Sequence, residues 1–106
     1  MECGIVYITT PTRADATRLA RQLVAERLAA CAQIVGDIQS RYWWQGCMHD
    51  RPEVLLMAKT TRRRFVDLEA AVQRLHPYEV PEVVYVPITA ASPAYLAWIR
   101  QETADA

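Results

Sequence analysis

The chain has 106 residues, 52% of them hydrophobic, and this predicts one globular domain over residues 1–106 with a single core. Twelve basic and twelve acidic residues cancel, so nothing favours generic binding to nucleic acid or to an anionic membrane. The three cysteines lack a C-x-x-C pattern, and neither a signal peptide nor a membrane span is visible, so we expect a cytoplasmic protein without a disulfide framework.

The first predicted elements are a buried strand and an amphipathic helix. The apolar run Ile5-Val6-Tyr7-Ile8 predicts a strand covered on both faces, and Thr10-Pro11-Thr12 ends it. Thr12 and Asp15 have the spacing of a capping box. Apolar residues then recur at helical spacing, which predicts a helix of about four turns with one apolar stripe formed by Ala16, Leu19, Ala20, Leu23, Val24 and Leu28.

A long β-hairpin is predicted next. Residues 32–44 have strand composition, interrupted at Gly36-Asp37, where we expect a bulge or bend. Gln45-Gly46 is a plausible hairpin turn, and the return strand ends at Lys59-Thr60. Pro52 lies within that strand, so its missing N–H must face an edge or a bulge.

The remaining elements are a second helix, a connector, a fourth strand and a last helix. Thr60 or Thr61 is the predicted cap of the second helix, whose apolar face carries Phe65, Leu68, Val72 and Leu75. Residues 83–86 form a β-branched strand that Pro87 ends, and Ser92-Pro93 begins a helix that carries Tyr95, Leu96, Trp98 and Ile99.

This order, β-α-β-β-α-β plus a C-terminal helix, predicts an α+β protein with a ferredoxin-like split βαβ fold and helices on one face of an antiparallel sheet. Trp43 and Trp44 are consecutive on a strand, so their rings point to opposite faces, and Tyr42 shares a face with Trp44. One small layer of helices does not cover both aromatic faces. We therefore predict a homo-oligomer in which hairpins and uncovered sheet faces pack between subunits.

The segment His76-Pro77-Tyr78-Glu79-Val80-Pro81-Glu82 joins the second helix to the fourth strand. Two prolines exclude a helix there and predict a stiff, extended path. The segment carries an imidazole, a phenol and two carboxylates, which is more chemistry than a simple connection requires. Two interpretations stay open: a binding role, or a structural one with His76 near a helix C-terminus.

The motifs in this order resemble the CutA family, the divalent-cation tolerance proteins. The resemblance covers about residues 4–100 and rests on Thr9-Thr10, Glu26-Arg27-Leu28-Ala29-Ala30-Cys31, Tyr42-x-Trp44-x-Gly46, Lys59-Thr60, the 76–82 segment and Tyr95-Leu96-x-Trp98. It implies a ferredoxin-like fold, a homotrimer resembling the PII signalling proteins, and a cytoplasmic, non-enzymatic role linked to copper and other divalent ions.

Metal binding in the family is ascribed to a cysteine after strand one and to histidines at the start of the connector. Here Thr9 occupies the cysteine position and Leu75 the first histidine position, so only His76 carries over. One imidazole does not hold a transition metal alone, and Glu79, Glu82 or groups of another subunit would have to complete the site.

The hairpin tip offers a second candidate metal site. Cys47, Met48 and His49 place a thiol, a thioether and an imidazole together, the ligand set that Cu(I) favours. In a strand Cys47 and His49 share a face. The alternative is an exposed tip of chance composition.

A small-ligand cleft between subunits is the alternative function, in a PII-like signalling or scaffold trimer with an unidentified ligand or protein partner. Its expected lining is Tyr42, Trp44, Lys59, Tyr78 and Glu82. The competing interpretation makes Lys59 and Glu82 an interface ion pair and Tyr78 a core residue.

Three further hypotheses are weaker. Arg62-Arg63-Arg64 opens the second helix and suggests an anion partner, or else a solvated face with Arg63 reaching Asp67. Cys31 and His76 would make a nucleophile–base pair only if the fold joined them, and Cys31 is more plausibly a small buried hydrophobe. RNA binding of the RNP type lacks its aromatic strand.

Overall fold

The structure, a computed structural model, describes residues 1–104, so the last two residues of the predicted 1–106 domain lie outside the described part. The strands and helices follow one another in the predicted order, β-α-β-β-α-β, and a C-terminal helix comes last. In chain order the elements are β1 Cys3–Thr10, α1 Arg13–Ala25, β2 Cys31–Trp44, β3 Cys47–Thr61, α2 Arg62–Leu75, β4 Val83–Pro87 and α3 Pro93–Glu102. The predicted ferredoxin-like α+β fold is confirmed.

The four strands form one antiparallel sheet in the order β2-β3-β1-β4. Within β3, only residues 54–61 pair with β1. The far half of the β2–β3 hairpin therefore extends beyond the sheet as a two-stranded arm. Gln45 and Gly46, with φ of 50° and 78°, form the predicted turn at its tip. Pro52 lies on this arm, where β3 has an unpaired edge.

The predicted bulge lies between Ile34 and Gly36, where the register of β2 against β3 shifts by one residue. Gly36 has φ of 135°, a conformation that favours glycine. Because side chains alternate along a strand, the extra residue exchanges the two faces of β2 beyond this point. Ile34 therefore packs against the core, whereas Ile38 lies opposite Glu53 on the other face.

The core lies between one face of the sheet and the helices α1 and α2. Its centre is formed by fully buried aliphatic side chains of both layers, namely Val6, Ile8, Leu19, Leu23, Leu56, Leu68 and Val72. Both predicted caps are confirmed: Thr12 accepts a hydrogen bond from the Asp15 N–H, and Thr61 accepts one from the Arg64 N–H.

Helix α1 is shorter than the apolar stripe predicted. Arg27 has φ of 58°, and the N–H of Leu28 donates to the Leu23 carbonyl over 2.9 Å, which closes the helix end. Leu28 is buried, but it lies in the turn after the helix and not on its stripe. The side chain therefore satisfies the hydrophobic pattern from outside the helix.

Helix α3 corrects the expectation that all helices cover one face. By strand alternation Cys3 and Cys31 point away from α1 and α2, and both meet α3. Cys3 Sγ lies 3.9 Å from the Leu96 carbonyl oxygen, and Cys31 Sγ lies 3.8 Å from the Tyr95 hydroxyl. The last helix thus covers one end of the second face and leaves the rest of that face open.

The open part of the second face is apolar. Val84 and Val86 of β4 are 47% and 40% exposed, and Tyr7 and Met57 beside them are only half-buried. At the arm, the exposed fractions of Trp43 and Trp44 are 74% and 38%, as expected of aromatic rings that the helices do not cover. Within one chain these surfaces lack a covering layer.

Gly4 is the position where β1 approaches the Tyr85 ring most closely. A Cβ on Gly4 would lie 2.2 Å from the Cζ of Tyr85, whose ring is packed edge-to-face on Phe65 with the Arg62 guanidinium above it. We expect Gly4→Ala to lower the free energy of unfolding by about 1–3 kcal/mol, because the ring must shift out of its contacts with Phe65 and Arg62 to admit the methyl group. Urea denaturation followed by circular dichroism at one protein concentration measures this.

The matched background for this measurement is Tyr85→Val, which removes the ring. There, Gly4→Ala should lower the free energy of unfolding by less than about 1 kcal/mol. An equal cost in both backgrounds would show that backbone conformation, and not contact with Tyr85, requires the glycine.

Candidate functional site

The connector, residues 76–82, is held against the end of β1 by the ring of His76. This ring is 7% exposed, and its Nε2 lies 2.7 Å from the Thr9 carbonyl oxygen, while Nδ1 accepts a hydrogen bond from the Tyr78 N–H over 3.0 Å. A backbone N–H only donates and a carbonyl only accepts, so the ring is the neutral tautomer with its proton on Nε2. Both ring nitrogens are engaged within the chain, which supports the structural interpretation of His76.

The hydroxyl of Tyr78 donates to a buried carboxylate that the sequence analysis missed. Glu53 is 6% exposed and its Oε2 lies 3.1 Å from the Tyr78 hydroxyl oxygen. It occupies the arm of β3 directly after Pro52, opposite Ile38 of β2. A carboxylate is rarely buried this deeply without a partner, so its position beside the connector marks a candidate binding site.

A groove of about 640 Å³ runs between the connector and the hairpin arm. We call it the connector groove, and it is lined by Thr9, residues 40–44, Glu53, residues 77–80 and Glu82. Four of the five residues predicted for a ligand cleft line it: Tyr42, Trp44, Tyr78 and Glu82.

Lys59, the fifth predicted cleft residue, does not line the connector groove within one chain. It pairs with Ile5 and Cys31 at the other end of the sheet, and its ammonium group donates a hydrogen bond to the Gln33 Oε1. Lys59 and Glu82 therefore do not form an ion pair within the chain, and Tyr78 lies half-buried at the groove and not in the core.

The groove is electrostatically negative around its two adjacent carboxylates. Burial raises the pKa of Glu82 above its ordinary value, and the charge of Glu53 adds to this shift. Burial also raises the pKa of Tyr78 to about 12, supported by its hydrogen bond to Glu53 and by the charge of that group. Arg51 acts on Tyr78 in the opposite direction and is the smallest of these influences.

The hairpin tip brings two of the predicted metal ligands to one face. Cys47 pairs with Trp44 and His49 with Tyr42, so all four side chains share the face that continues to Glu53. The His49 ring stacks on Tyr42 with centroids 5.5 Å apart, and the Cys47 thiol is exposed. Met48 points to the other face, beside Trp43.

The predicted metal residues are not gathered into one site. Among residues 1–104, no group of three or more His, Cys, Asp or Glu side chains is close enough to hold a metal ion. His76 lies at the end of β1, and the Cys47–His49 pair lies at the hairpin tip. Of the positions that depart from the family pattern, Thr9 is 7% exposed and contributes its carbonyl to His76.

Other predicted pairings can be placed directly. Arg64 Nη1 lies 3.4 Å from an Asp67 carboxylate oxygen, and the Arg62 guanidinium lies over the Phe65 ring at 5.9 Å. Cys31 is half-buried beside Tyr95 and not fully buried. It pairs with Lys59 at the end of the sheet opposite His76, so Cys31 and His76 are not brought together within the chain.

The chain is a small α+β protein with a ferredoxin-like sheet, an extended hairpin arm and a groove between that arm and a proline-bounded connector. The family described as "CutA1 divalent ion tolerance protein" matches residues 4–102. The chain belongs to this family, as its motifs suggested.

Relatives of known name agree with this assignment. The divalent-cation tolerance protein CutA of Thermus thermophilus is 46% identical over 99 residues, covering 93% of this chain and 96% of that protein. Its solved structure superposes with a TM-score of 0.93 at 44% identity, covering 96% of this chain and 99% of that one. CutA1 of Oryza sativa superposes with a TM-score of 0.95 at 37% identity, covering 100% of this chain and 97% of that one.

The relatives differ in length and in the compartment their names give. The chain spans 57% of a rice relative named chloroplastic, to which it is 39% identical over 95% of its own length. An Archaeoglobus fulgidus relative, 30% identical with a TM-score of 0.92 over 96% of this chain and 99% of that one, is named periplasmic. None of the helices within residues 1–104 has the length and apolar character to span a bilayer.

The raised pKa of Glu82 predicts a pH-dependent stability. The unfolded chain loses this proton at a lower pH than the folded chain, so the free energy of unfolding falls as the pH rises through the range between the two pKa values. Glu82→Gln should therefore be more stable than the unchanged protein at pH 7, by less than about 1 kcal/mol because solvent screens this exposed side chain. The difference should shrink as the pH falls below the ordinary value of 4.5.

Urea denaturation of both proteins at a series of pH values measures this difference. Glu69→Gln, which changes an exposed carboxylate on α2, is the matched control. A Glu82→Gln protein that is less stable at pH 7 would show that the carboxylate has a stabilising partner.

Proposed function

We propose that the protein is a homotrimeric, non-enzymatic, cytoplasmic protein that binds or responds to divalent metal ions, chiefly copper. Membership of a family named for divalent-ion tolerance supports the role, and relatives carry the same name. The proposal assigns different chemistry to two parts of the hairpin: carboxylates in the connector groove, and sulfur and nitrogen ligands at the tip.

The observation that carries the proposal is the pair of carboxylates, Glu53 and Glu82, at one groove. The pKa of Glu82 is raised partly by the charge of Glu53, and a bound cation is the group that would relieve this repulsion. Two carboxylates provide fewer ligands than a divalent ion prefers. The remaining ligands would come from water, from the Tyr78 hydroxyl or from a second copy of the chain.

Copper chemistry favours the tip more than the connector. Cys47 and His49 are successive side chains on one strand face, and their thiolate and imidazole groups suit Cu(I). His76 would have to release the Tyr78 N–H before its Nδ1 could bind a metal. We therefore place His76 as a ligand only in a rearranged connector, with Glu79 or Glu82 beside it.

The trimer is proposed from the uncovered surfaces. The open part of the second sheet face exposes Val84 and Val86, and the arm exposes Trp43 and Trp44. Contiguous apolar surface of this kind is typical of subunit interfaces. A trimer would also bring chemistry from one copy, such as Lys59, towards the groove of another.

The second candidate function is a PII-like module that holds a small ligand. A specific observation favours it: the connector groove has aromatic side chains beside carboxylates, at a volume typical of small-molecule sites. In this case the metal would be incidental, and the ligand in the groove would control contact with a protein partner.

Metal binding at the two places is separable by mutation. Glu53→Gln should weaken Cu(II) binding to metal-free protein at least about 10-fold, because it removes a buried ligand. The double change Cys47→Ser and His49→Ala should weaken Cu(I) binding by a similar factor in competition with a chromophoric chelator, and His76→Ala should have a smaller effect on either ion.

Two controls match these variants. Glu69→Gln removes an exposed carboxylate of α2, and Cys31→Ser removes a thiol at the opposite end of the sheet. If neither ion binds the unchanged protein, or if all variants bind as it does, metal binding by these residues is refuted.

The oligomeric state is testable at the second sheet face. The unchanged protein should sediment as a trimer at micromolar concentration, and Val84→Asp combined with Val86→Asp should yield a smaller species, because two charges would be buried at the interface. Val66→Asp is the matched control, since this valine is 64% exposed on α2. A stable monomer of the unchanged protein would contradict the proposed trimer.

A further inference from the structure

We infer that the connector groove binds a small organic cation of the ammonium class, between its aromatic walls and its carboxylates. The inference rests on the second candidate function and names the chemistry of the ligand. It is independent of whether the chain also binds metal ions.

Aromatic rings form part of the walls of the connector groove. Tyr42, Trp44 and Tyr78 line the groove, and Trp43 lies at its edge on the hairpin arm. The faces of such rings carry partial negative charge and attract an alkylated ammonium group that has lost part of its water. A site for a neutral apolar ligand would have no use for the carboxylates among these rings.

Carboxylates outnumber cationic side chains at the groove. Glu53, Glu79 and Glu82 line it together with the guanidinium of Arg41, which forms an ion pair with Asp50 at 3.2 Å. Arg51 lies on the same face of β3 as Glu53 and adds one positive charge there. The lining keeps an excess of negative charge, which disfavours an anionic ligand and favours a cation.

The groove suits an organic cation better than a bare metal ion. The Tyr78 hydroxyl already donates its proton to Glu53, and no group of three His, Cys, Asp or Glu side chains within residues 1–104 can enclose an ion. A divalent ion requires several oxygen ligands and gains little from a ring face when hydrated. An ammonium ligand uses both kinds of wall, since its alkyl groups contact the rings and its charge faces the carboxylates.

The side chains that form the groove are preorganised. His76 binds the Thr9 carbonyl and the Tyr78 N–H, and Tyr78 in turn binds Glu53. On the opposite wall, Tyr42 is stacked on His49. Both walls are therefore positioned before a ligand arrives, which reduces the entropy that binding must offset.

The test compares choline with its neutral carbon isostere, 3,3-dimethyl-1-butanol, on protein freed of metal by a chelator. Amide and indole N–H signals of ¹⁵N-labelled protein report binding, because residues 40–44 line the groove and the Trp44 ring is on the face of Glu53, whereas the Trp43 ring points to the other face and Trp98 lies on α3. Choline should shift the Trp44 indole and the amides of residues 40–44 with a dissociation constant of about 1 mM, at least 10-fold tighter than the isostere. The Trp98 signal should stay in place.

The variants test the two kinds of wall separately. Glu82→Gln and Trp44→Leu should each weaken choline binding by about 5-fold or more and leave the isostere nearly unaffected, and Glu69→Gln should change neither. Glu82 is exposed, so its change tests the inference even if substitution of the buried Glu53 prevents folding.

The outcomes are decisive in both directions. The inference would be overturned by equal affinity for the two probes, by binding of neither probe, or by equal shifts of all three indoles. If a side chain of another copy filled the groove, neither probe would bind. Choline binding in a protein that takes up no copper would support the inference while refuting metal binding, and copper binding without choline binding would do the reverse.

Discussion

The contact on which the connector and its groove depend is the ring of His76 between the Thr9 carbonyl and the Tyr78 N–H. It fixes a connector that makes no helix and no strand, and a segment with two prolines has few backbone hydrogen bonds of its own to hold it. Once the connector is fixed, Tyr78 reaches Glu53, and the space between them and the hairpin arm becomes a groove. His76, which the sequence suggests as a metal ligand, therefore first holds the connector against the end of β1.

The second constraint is the mismatch between a long hairpin and a short sheet. β1 pairs with residues 54–61 of β3 only, and the arm beyond them carries aromatic rings that α1 and α2 do not reach. The bulge at Gly36 exchanges the faces of β2, so Tyr42 and Trp44 lie on the same side as Glu53. The groove, the tip and the open sheet face are consequences of this geometry, because all three belong to surface that one layer of helices leaves uncovered.

The elements with local signals were predictable, and the site was predictable only in part. The caps at Thr12 and Thr61, the turn at Gln45 and the bulge at Gly36 each depend on a few neighbouring residues, and all were confirmed. Glu53 was missed because it shares a strand face with Arg51 and His49, and a row of polar side chains is typical of a solvated face. Its burial arises from the connector, which lies far along the chain. Its one sequence signal was the position directly after Pro52, where the strand edge is unpaired.

Lys59 lies away from the groove within one chain, which the sequence did not indicate because a position at a strand end does not say which end of the sheet it reaches. Antiparallel pairing places the last residues of β3 beside the first of β1 and β2, away from Trp44 at the turn.

The two candidate sites on the hairpin are too far apart to be one. His49 and Glu53 share a strand face four residues apart, which is about 13 Å at the rise of an extended strand. Among residues 1–104, no group of three or more His, Cys, Asp or Glu side chains could hold one ion, so the tip and the groove are separate candidates within a chain. The tip offers sulfur and imidazole to soft ions, whereas the groove offers carboxylate oxygen and ring faces to cations of another kind. Under the proposed function, selectivity would depend on where along β3 a cation binds.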